Sequence, residues 1–473
     1  MNEDTANIPY LPHTSRDREA MLDKIGVRSF EELIAHIPAN LRAEAIKIKN
    51  GLSELELIHH VDSLASKNRP ASKQACFLGG GQYQRYVPSV VPQIVSRSEF
   101  ATAYTPYQPE VSQGSLQAIY EFQTAICMIT GMDVANASMY DGPTACAEAG
   151  LMACRVTGRS KLMVLHSVNP EHRMVTSGYA KALKLDYETI DCPEGAVDPS
   201  SIKIDKDTAG LIVQYPNFFG CYEDMKALSK IATDSGALLI VVSDPISLGL
   251  LEAPGVIGAD IVVGDAQSCG NFLNFGGPSA GYMACKKEYM RQLPGRLAGV
   301  TQDKEGKRAF TLTLQTREQH IRRAKATSNI CTNQALNALS MLVYSTMLGK
   351  SGFEKLARIS LQRAHYLADK LTAIEGVSLK FKKQGFFNEF VLEFDKPLEK
   401  VTEKLKERDI LAGVPIARMY GELKNCLLVA VTEMNPPQEL DLYAETLKEI
   451  MAELSSEEKV AGKADKKLAS ASS

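Results

Sequence analysis

A short stretch rich in tyrosine and proline carries the side chains best suited to chemistry. Its candidate catalytic residues offer two phenols, an amide, a carboxylate and a hydroxyl: Tyr104, Tyr107, Gln108, Glu110 and Ser112. The prolines at positions 106 and 109 favour a rigid, irregular loop, and binding groups concentrate on loops that a scaffold holds in place. The sequence therefore predicts that the loop from Tyr104 to Gln113 contributes to an active site. A proline-braced connection whose tyrosines only pack is the alternative.

A second candidate is the turn of small residues from Asp141 to Thr144, which precedes a run of good helix formers. The first N–H groups of a helix can hold an anion, although most helix starts are capped by their own side chains. The sequence leaves both interpretations open for this turn. At the preceding helix, which begins near Gly114, we expect Ser112 to be the capping residue.

The elements that must position these groups follow from a regular alternation of strands and helices. Short segments typical of strands, most of them apolar, alternate with helical segments. The strands are predicted at 161–165, 186–190, 211–215, 238–242, 261–263 and 281–284. This alternation predicts a mostly parallel sheet covered by helices on both faces, and hence an α/β fold. Because ligands bind beyond the carboxyl ends of such strands, we expect Asp244 and the loop 264–271 to lie near the site.

Changes in composition divide the chain into three predicted regions and a tail. Residues 1–75 form an N-terminal arm and helical region, and residues 76–334 form the large α/β domain. Residues 335–454 form a smaller C-terminal α+β domain. Residues 455–473 are charged and of low complexity, which predicts a disordered tail.

The overall composition argues against several classes of protein. The 473 residues are 45% hydrophobic and 23% charged with a formal net charge of −3, which is typical of a globular protein and gives no electrostatic reason to bind nucleic acid or an anionic membrane. We find no apolar run long enough to cross a bilayer and no pattern of a secretion signal, so we expect a cytoplasmic protein. The 10 cysteines form neither a CxxC pair nor a Cys/His cluster, so we expect reduced thiols and no metal site.

Several long motifs resemble those of a known family, the P-protein of the glycine cleavage system. The similarity is to its separate N-terminal (alpha) subunit, subunit 1 of the decarboxylating glycine dehydrogenase, and it extends from about Ile8 to Glu453. The motifs that carry it are YTPYQPEVSQGSLQAIYEFQTAICMITGMDVANASMYDG, VVSDPISLGLLEAPGVIGADIVVGDAQ, FGGPSAGYMA, PGRLAGVT and TLQTREQHIRRAKATSNICTNQAL.

The resemblance implies both a fold and a reaction. The fold is the type I-like fold of pyridoxal 5'-phosphate (PLP) dependent transferases, and the assembly is a heterotetramer of two alpha and two beta subunits. The reaction is that of glycine dehydrogenase (aminomethyl-transferring): glycine is decarboxylated and its aminomethyl group passes to the lipoyl group of H-protein, with release of CO2. The implied partners are P-protein subunit 2, lipoylated H-protein and glycine.

One departure from the family's pattern concerns the lysine that holds PLP. In the type I fold this lysine follows the strand after the one that ends in the pyridinium-pairing Asp, here Asp244. The corresponding loop, GDAQSCGNFLNFGGP, contains no lysine, and Lys286 lies beyond the next strand at the wrong edge of the sheet. We therefore expect the partner subunit to carry PLP, and the five candidate residues of this chain to contribute to an active site at the interface.

Two other functions remain as alternatives. The chain could be an independent PLP-dependent aminotransferase or decarboxylase that uses a lysine elsewhere. It could also be a purely structural scaffold subunit that stabilises its partner and docks the carrier protein.

Overall fold

The computed structural model describes residues 13–42 and 51–471, and side chains up to Lys459. The chain forms two compact units, Met1–Arg69 and Pro70–Ser473. Most of the N-terminal arm expected at residues 1–15 lies outside the described residues. No helix within the described ranges is both long and apolar enough to span a membrane.

The first unit contains three α-helices among its described residues. α1 (Ser15–Ile25) and α3 (Glu54–Ala65) each begin with a capping box, in which Thr14 and Ser53 accept the N–H of the third helical residue. α2 (Phe30–Leu33) lies between them in the chain. None of these three helices contains a buried residue, so the described part of this unit has no core of its own.

The second unit is built on a seven-stranded sheet. A short strand and three helices precede it: β1 (Ala75–Cys76), α4 (Val90–Val95), α5 (Ser98–Ala101) and α6 (Gln113–Thr130). The sheet and its helices follow: β2 (Val134–Ala135), α7 (Gly142–Thr157), β3 (Lys161–Leu165), α8 (Pro170–Ala182), β4 (Asp186–Ile190), β5 (Thr208–Tyr215), α9 (Met225–Ser235), β6 (Leu238–Ser243), α10 (Pro254–Ile257), β7 (Ile261–Asp265) and β8 (Gly281–Cys285). Every predicted strand is present, and several are longer than predicted.

The strand order of this sheet is β2-β8-β7-β6-β5-β3-β4. Strands β3 to β7 are parallel, whereas β8 runs antiparallel to both of its neighbours. β6 and β8 are buried throughout, as expected for strands covered by helices on both faces. The carboxyl ends of β5, β6 and β7 meet at one edge, and the predicted α/β fold is confirmed.

An antiparallel hairpin, which the sequence did not predict, follows the sheet. β9 (Leu297–Gln302) pairs with β10 (Arg308–Thr313), and α11 (Gln319–Arg322) comes next. The Gln113 side chain, at the start of α6, bonds to both the N–H and the carbonyl of Phe310 on β10, at 2.9 Å each. Ser112 occupies the N-cap position as predicted, but its side chain makes no capping hydrogen bond, and the Gln113 side chain ties this helix start to β10.

The C-terminal part begins with the long helix α12 (Ala335–Thr372), which Gly349 interrupts with a positive φ of 59°. The elements that follow are β11 (Val377–Leu379), β12 (Glu389–Phe394), α13 (Leu398–Glu407), β13 (Ile410–Leu411), β14 (Val414–Pro415), β15 (Cys426–Ala430) and α14 (Pro437–Ala471). β11, β12, β15 and β14 form an antiparallel sheet in that order. Met341 of α12 packs in the core of the large sheet and Leu367 in the C-terminal core, so the helix joins both.

The end of the chain differs from the sequence prediction of a disordered tail at 455–473. α14 continues as a helix to Ala471. Alanine, lysine and glutamate, which have high helix propensity, are frequent in this segment and allow the helix to extend. Leu454 lies in the C-terminal core, with 4% of its surface exposed.

Candidate functional site

The carboxyl edge of the large sheet is one of two candidate sites, and Asp244 lies at its centre. Asp244 follows β6, and its Oδ1 accepts hydrogen bonds from Ser268 Oγ at 2.9 Å and from the N–H of Ile246 at 3.3 Å. Ser268 belongs to the lysine-free loop after β7. The loop therefore places a neutral hydroxyl on the carboxylate.

The N-terminus of α7 points to the same edge and already holds carboxylates of this chain. Asp141 Oδ1 accepts the N–H of Thr144 at 2.8 Å, and Asp265 Oδ2 accepts the N–H of Gly142 at 3.1 Å. The other oxygen of Asp265 accepts the N–H of Gln267 at 2.8 Å and the hydroxyl of Ser279. Burial raises the pKa of Asp265. Of the two interpretations left open for this turn, the structure supports capping by the chain's own residues.

Two buried polar atoms at this edge have no hydrogen-bond partner among the described residues, Asp244 Oδ2 and His172 Nδ1. His172 lies on α8 and burial lowers its pKa to about 4, so its imidazole is neutral near pH 7. Lys286 does not reach this region. It follows β8 at the opposite edge of the sheet, where its Nζ lies 2.5 Å from Asp260 Oδ1.

A segment that begins with three glycines, residues 79–86, packs against the loop after β7 at this edge of the sheet. Gln267 bonds to both the N–H and the carbonyl of Tyr83, at 2.9 and 3.0 Å. Glu389 of β12 accepts the Tyr83 hydroxyl and the N–H of Gly80, both at 2.7 Å. A Cβ on Gly79 would lie 2.3 Å from the Ala430 side chain, so only glycine fits there.

Charged groups also anchor this segment in the protein interior. Arg85 is buried and pairs with Glu433 at 2.7 Å. Burial raises the pKa of Glu389 to about 7 against the opposing effect of its two hydrogen bonds. The segment thus joins the loop after β7 to the C-terminal sheet through buried polar contacts.

The tyrosine-rich loop forms a second candidate site, which lies against the hairpin and the start of α12. Tyr104 is 93% exposed, whereas Tyr107 is 45% exposed and its ring lies 5.6 Å from the guanidinium carbon of Arg296. A cavity of about 300 Å³ is lined by residues of both sides, including Tyr104, Thr105, Pro106, Arg296 and Asn333. Tyr104 and Arg296 therefore line the same cavity, and the Tyr107 ring packs beside Arg296.

The other predicted site residues lie further along this loop. Gln108 and Glu110 are exposed, and Ser112 is partly buried beside the start of α6. Among the described residues, no side-chain hydrogen bond involves Tyr104, Tyr107, Gln108 or Glu110. Their polar groups are therefore available to a ligand or to another chain.

The sequence analysis missed the residues that support the loop. Arg296, Glu318, His320 and Asn333 all lie in the quoted motifs PGRLAGVT and TLQTREQHIRRAKATSNICTNQAL, which the sequence analysis used only for the resemblance. Arg317 of the same segment donates to the carbonyls of Leu314 at 3.1 Å, Gly295 at 3.0 Å and Leu293. The available signal was the position of these four residues within the quoted motifs.

Comparison with known proteins decides the family. The family profile described as "Glycine cleavage system P-protein" matches residues 9–447. The chain belongs to this P-protein family. It is 48% identical to a probable glycine dehydrogenase (decarboxylating) subunit 1 of Chloroherpeton thalassium, over 94% of this chain and 100% of the relative. It is also 48% identical to a protein of the same description from Anoxybacillus flavithermus, over 93% of this chain and 98% of the relative.

Solved structures confirm the fold. A crystal structure of glycine decarboxylase (P-protein) in inhibitor-bound form has a TM-score of 0.85 and 44% identity, and the match covers 93% of this chain and 99% of that one. Glutamate decarboxylase of Lactobacillus brevis shares the fold with a TM-score of 0.66 and 12% identity, over 87% and 95% of the two chains. The resemblance and the PLP-dependent transferase type I-like fold predicted from the sequence motifs are confirmed.

The residues at the sheet edge do not fit PLP held in the manner of this fold. A lysine is required for the Schiff base, and Ser268 occupies the hydrogen-bonding position beside Asp244. A helix N-terminus is a ready site for a phosphate, but the N–H of Gly142 is already bonded to Asp265. Asp141, Asp244 and Asp265 place three carboxyl groups at this edge of the sheet, which opposes a dianionic phosphate. Only the unpartnered Oδ2 of Asp244 would suit a pyridinium nitrogen.

Proposed function

We propose that this chain is the non-PLP-carrying subunit of a glycine decarboxylase of the glycine cleavage system. A second subunit would bear the PLP lysine, with two copies of each in the assembly. Together they would decarboxylate glycine and transfer its aminomethyl group to the lipoyl arm of H-protein, with release of CO2. PLP, when bound to the partner, would stabilise the carbanion that remains after CO2 leaves.

The observation that carries this proposal is that groups at the carboxyl edge of the sheet, where PLP would bind, are already hydrogen-bonded to other residues of the chain. Family membership predicts a PLP pocket here, yet the helix start is bonded to Asp265 and the Asp of the pocket to Ser268. A chain that keeps the PLP-dependent fold, but whose own side chains occupy the cofactor position, is suited to support an active site in a partner subunit. The description "subunit 1" of its relatives is consistent with a second chain.

The contribution of this chain would come from the tyrosine-rich loop. Tyr104, Tyr107, Gln108, Glu110 and Ser112 would line an active site at the interface, where their unpaired polar groups meet glycine or the partner. Exclusion of water there favours departure of the glycine carboxylate as CO2. Glu110 would relay a proton or orient a neighbouring side chain.

Reconstitution tests the proposal directly. The chain is purified alone and together with the PLP-bearing subunit, and glycine–bicarbonate exchange is measured with lipoylated H-protein. We expect no exchange by the isolated chain with added PLP, no borohydride-sensitive visible absorbance, and activity when both subunits are present. Turnover by the isolated chain would instead identify an independent PLP enzyme.

A further inference from the structure

Arg296 connects the two walls of the cavity between the tyrosine-rich loop and the start of α12. Its side chain is buried, with 5% of the residue's surface exposed. One terminal nitrogen donates to Asn333 Oδ1 at 3.1 Å, and the other donates to the carbonyl of Cys331. Its guanidinium carbon lies 5.6 Å from the centre of the Tyr107 ring. A single cation therefore contacts both the loop and the opposite wall.

Two further side chains complete this arrangement around Tyr107. The His320 ring meets the Tyr107 ring edge to face at 5.3 Å. Buried Glu318 lies 3.5 Å from His320 Nδ1 and 4.0 Å from Arg296 Nε, so its charge compensates the guanidinium. The Tyr107 ring is thus held between a guanidinium and an imidazole that share one carboxylate.

Asn333 links Arg296 to the rigid sheet domain. Its side-chain amide donates to the carbonyl of Ala137 at 2.9 Å and to Ser138 Oγ at 3.0 Å, in the connection between β2 and α7. Arg296 and Asn333 therefore fix the loop to a buried part of the molecule. Without such contacts, an exposed loop would order its tyrosines only at the entropic cost of fixing it during binding.

We propose that Arg296, which lines this cavity, is a positioning residue that holds Tyr107 of the tyrosine-rich loop and Asn333 of the opposite wall, and so sets the geometry of the groups facing the substrate. Lysine is a poor substitute, because a planar guanidinium bonds in two directions while stacking on an aromatic ring. The catalytic part of this inference, that the position of Tyr107 affects turnover, rests on the proposed function. The structural part, that Arg296 holds Tyr107 in place, does not.

A fluorescence measurement on the isolated chain tests the structural part. The chain contains 0 tryptophan residues, so Tyr107→Trp introduces a single indole at the position in question. Arg296→Lys in this background is expected to lower the emission anisotropy and to increase acrylamide quenching about twofold or more. Arg308→Lys is the matched control, since the Arg308 guanidinium also lies against an aromatic ring, at 5.0 Å from Phe310 on β10 rather than against Tyr107. Hydrogen exchange at residues 103–108 in the Arg296→Lys chain without the tryptophan gives a second measurement.

Kinetics of the reconstituted complex test the catalytic part. We expect Arg296→Lys to lower kcat about tenfold or more while KM for glycine changes less, and Arg296→Gln to be at least as severe. Arg308→Lys should behave as the wild type. Unchanged quenching and exchange would overturn the positioning role and leave the proposed function intact. A freed loop with unchanged kcat would overturn the catalytic part, and with it the proposed role of the loop in the active site.

Discussion

Glu389 is a buried carboxyl group whose ionisation is coupled to folding. It accepts hydrogen bonds from Gly80 and Tyr83, and burial raises its pKa from 4.5 to about 7. Between these values the native state keeps a proton that the unfolded chain releases. Stability contributed by this residue is therefore complete below pH 4.5 and decreases as the pH rises towards about 7.

Glu389→Gln should remove this dependence, because an amide does not titrate and can keep both contacts: its oxygen accepts the Gly80 N–H and its NH2 group donates to the Tyr83 hydroxyl. At about 1.4 kcal/mol per pKa unit, the free energy of unfolding of the wild type should fall by up to about 3 kcal/mol more than that of the variant between pH 5 and pH 8. Urea unfolding at both values measures the difference, since all other groups are common to the two chains. Parallel pH profiles would show that Glu389 ionises normally.

Tyr107→Phe tests the phenol at the candidate interface site. The ring and its contacts with Arg296 and His320 are retained, so only a polar contact is lost. A lost hydrogen bond of about 0.5–1.5 kcal/mol in the transition state corresponds to a several-fold to tenfold decrease of turnover. Glycine exchange by the reconstituted complex is the measurement, with assembly checked by gel filtration. Normal assembly with unchanged turnover would leave Tyr107 as a packing residue and transfer attention to Gln108 and Glu110.

For single residues, the sequence predicted the position along a strand better than the side chains that each residue contacts. Asp244 was correctly placed at a strand end, and Lys286 at the opposite edge, because both follow from the strand order. The contact between Tyr107 and Arg296 could not be predicted, since it depends on how a hairpin packs against a loop far away in the chain.

The helix α7 keeps its place in the fold, but the N–H groups at its start are already bonded within the chain and cannot bind an anion. Its first free N–H groups are occupied by Asp141 and Asp265. Ser268→Lys alone should therefore not bind PLP, because the phosphate position remains blocked. Ser268→Lys combined with Asp265→Ser should yield visible absorbance with PLP that borohydride removes. Equal binding by the single variant would show that Asp265 does not exclude the phosphate, and Asp265→Ser alone is the control.

The final helix α14 gives a second prediction at this scale. Truncation after Lys459 should leave the melting temperature nearly unchanged, because the removed segment is polar and of low complexity. Truncation after Glu453 also removes Leu454 from the core and Glu458 from its 2.6 Å pair with Lys396. Loss of the leucine costs about 2 kcal/mol, and Tm should fall by a few degrees. Equal melting curves for the two truncations would contradict this account of Leu454.

Helices and strands with a clear hydrophobic pattern could be predicted from the sequence. Strands whose pairing depends on tertiary contacts could not. The strands β3 and β5 to β8 are rich in apolar residues, so the sequence alone places them. β9 and β10 alternate only weakly and are polar at their turn, and their pairing is stabilised by Gln113 and by packing on α6. Local periodicity contains no information about such a partner.

At the scale of the whole molecule, the proposed assembly makes a stoichiometric prediction. If this chain excludes PLP, the purified complex should contain one PLP for each pair of unlike subunits. Cofactor released by alkali, compared with protein quantified by amino-acid analysis, gives the ratio. A ratio near two would contradict the proposed division of roles, and the isolated chain provides the blank.

The segment 79–86 has a mechanical consequence for this chain. It is bonded to Gln267 beside the large sheet and to Glu389 and Glu433 in the C-terminal part. Any hinge opening between these lobes would have to break several buried polar contacts at once, at about 1–3 kcal/mol for each group left unpaired. We therefore expect the two lobes of this chain to stay fixed relative to each other. Under the proposed function, the movements that admit substrate and release product would then take place in the partner subunit.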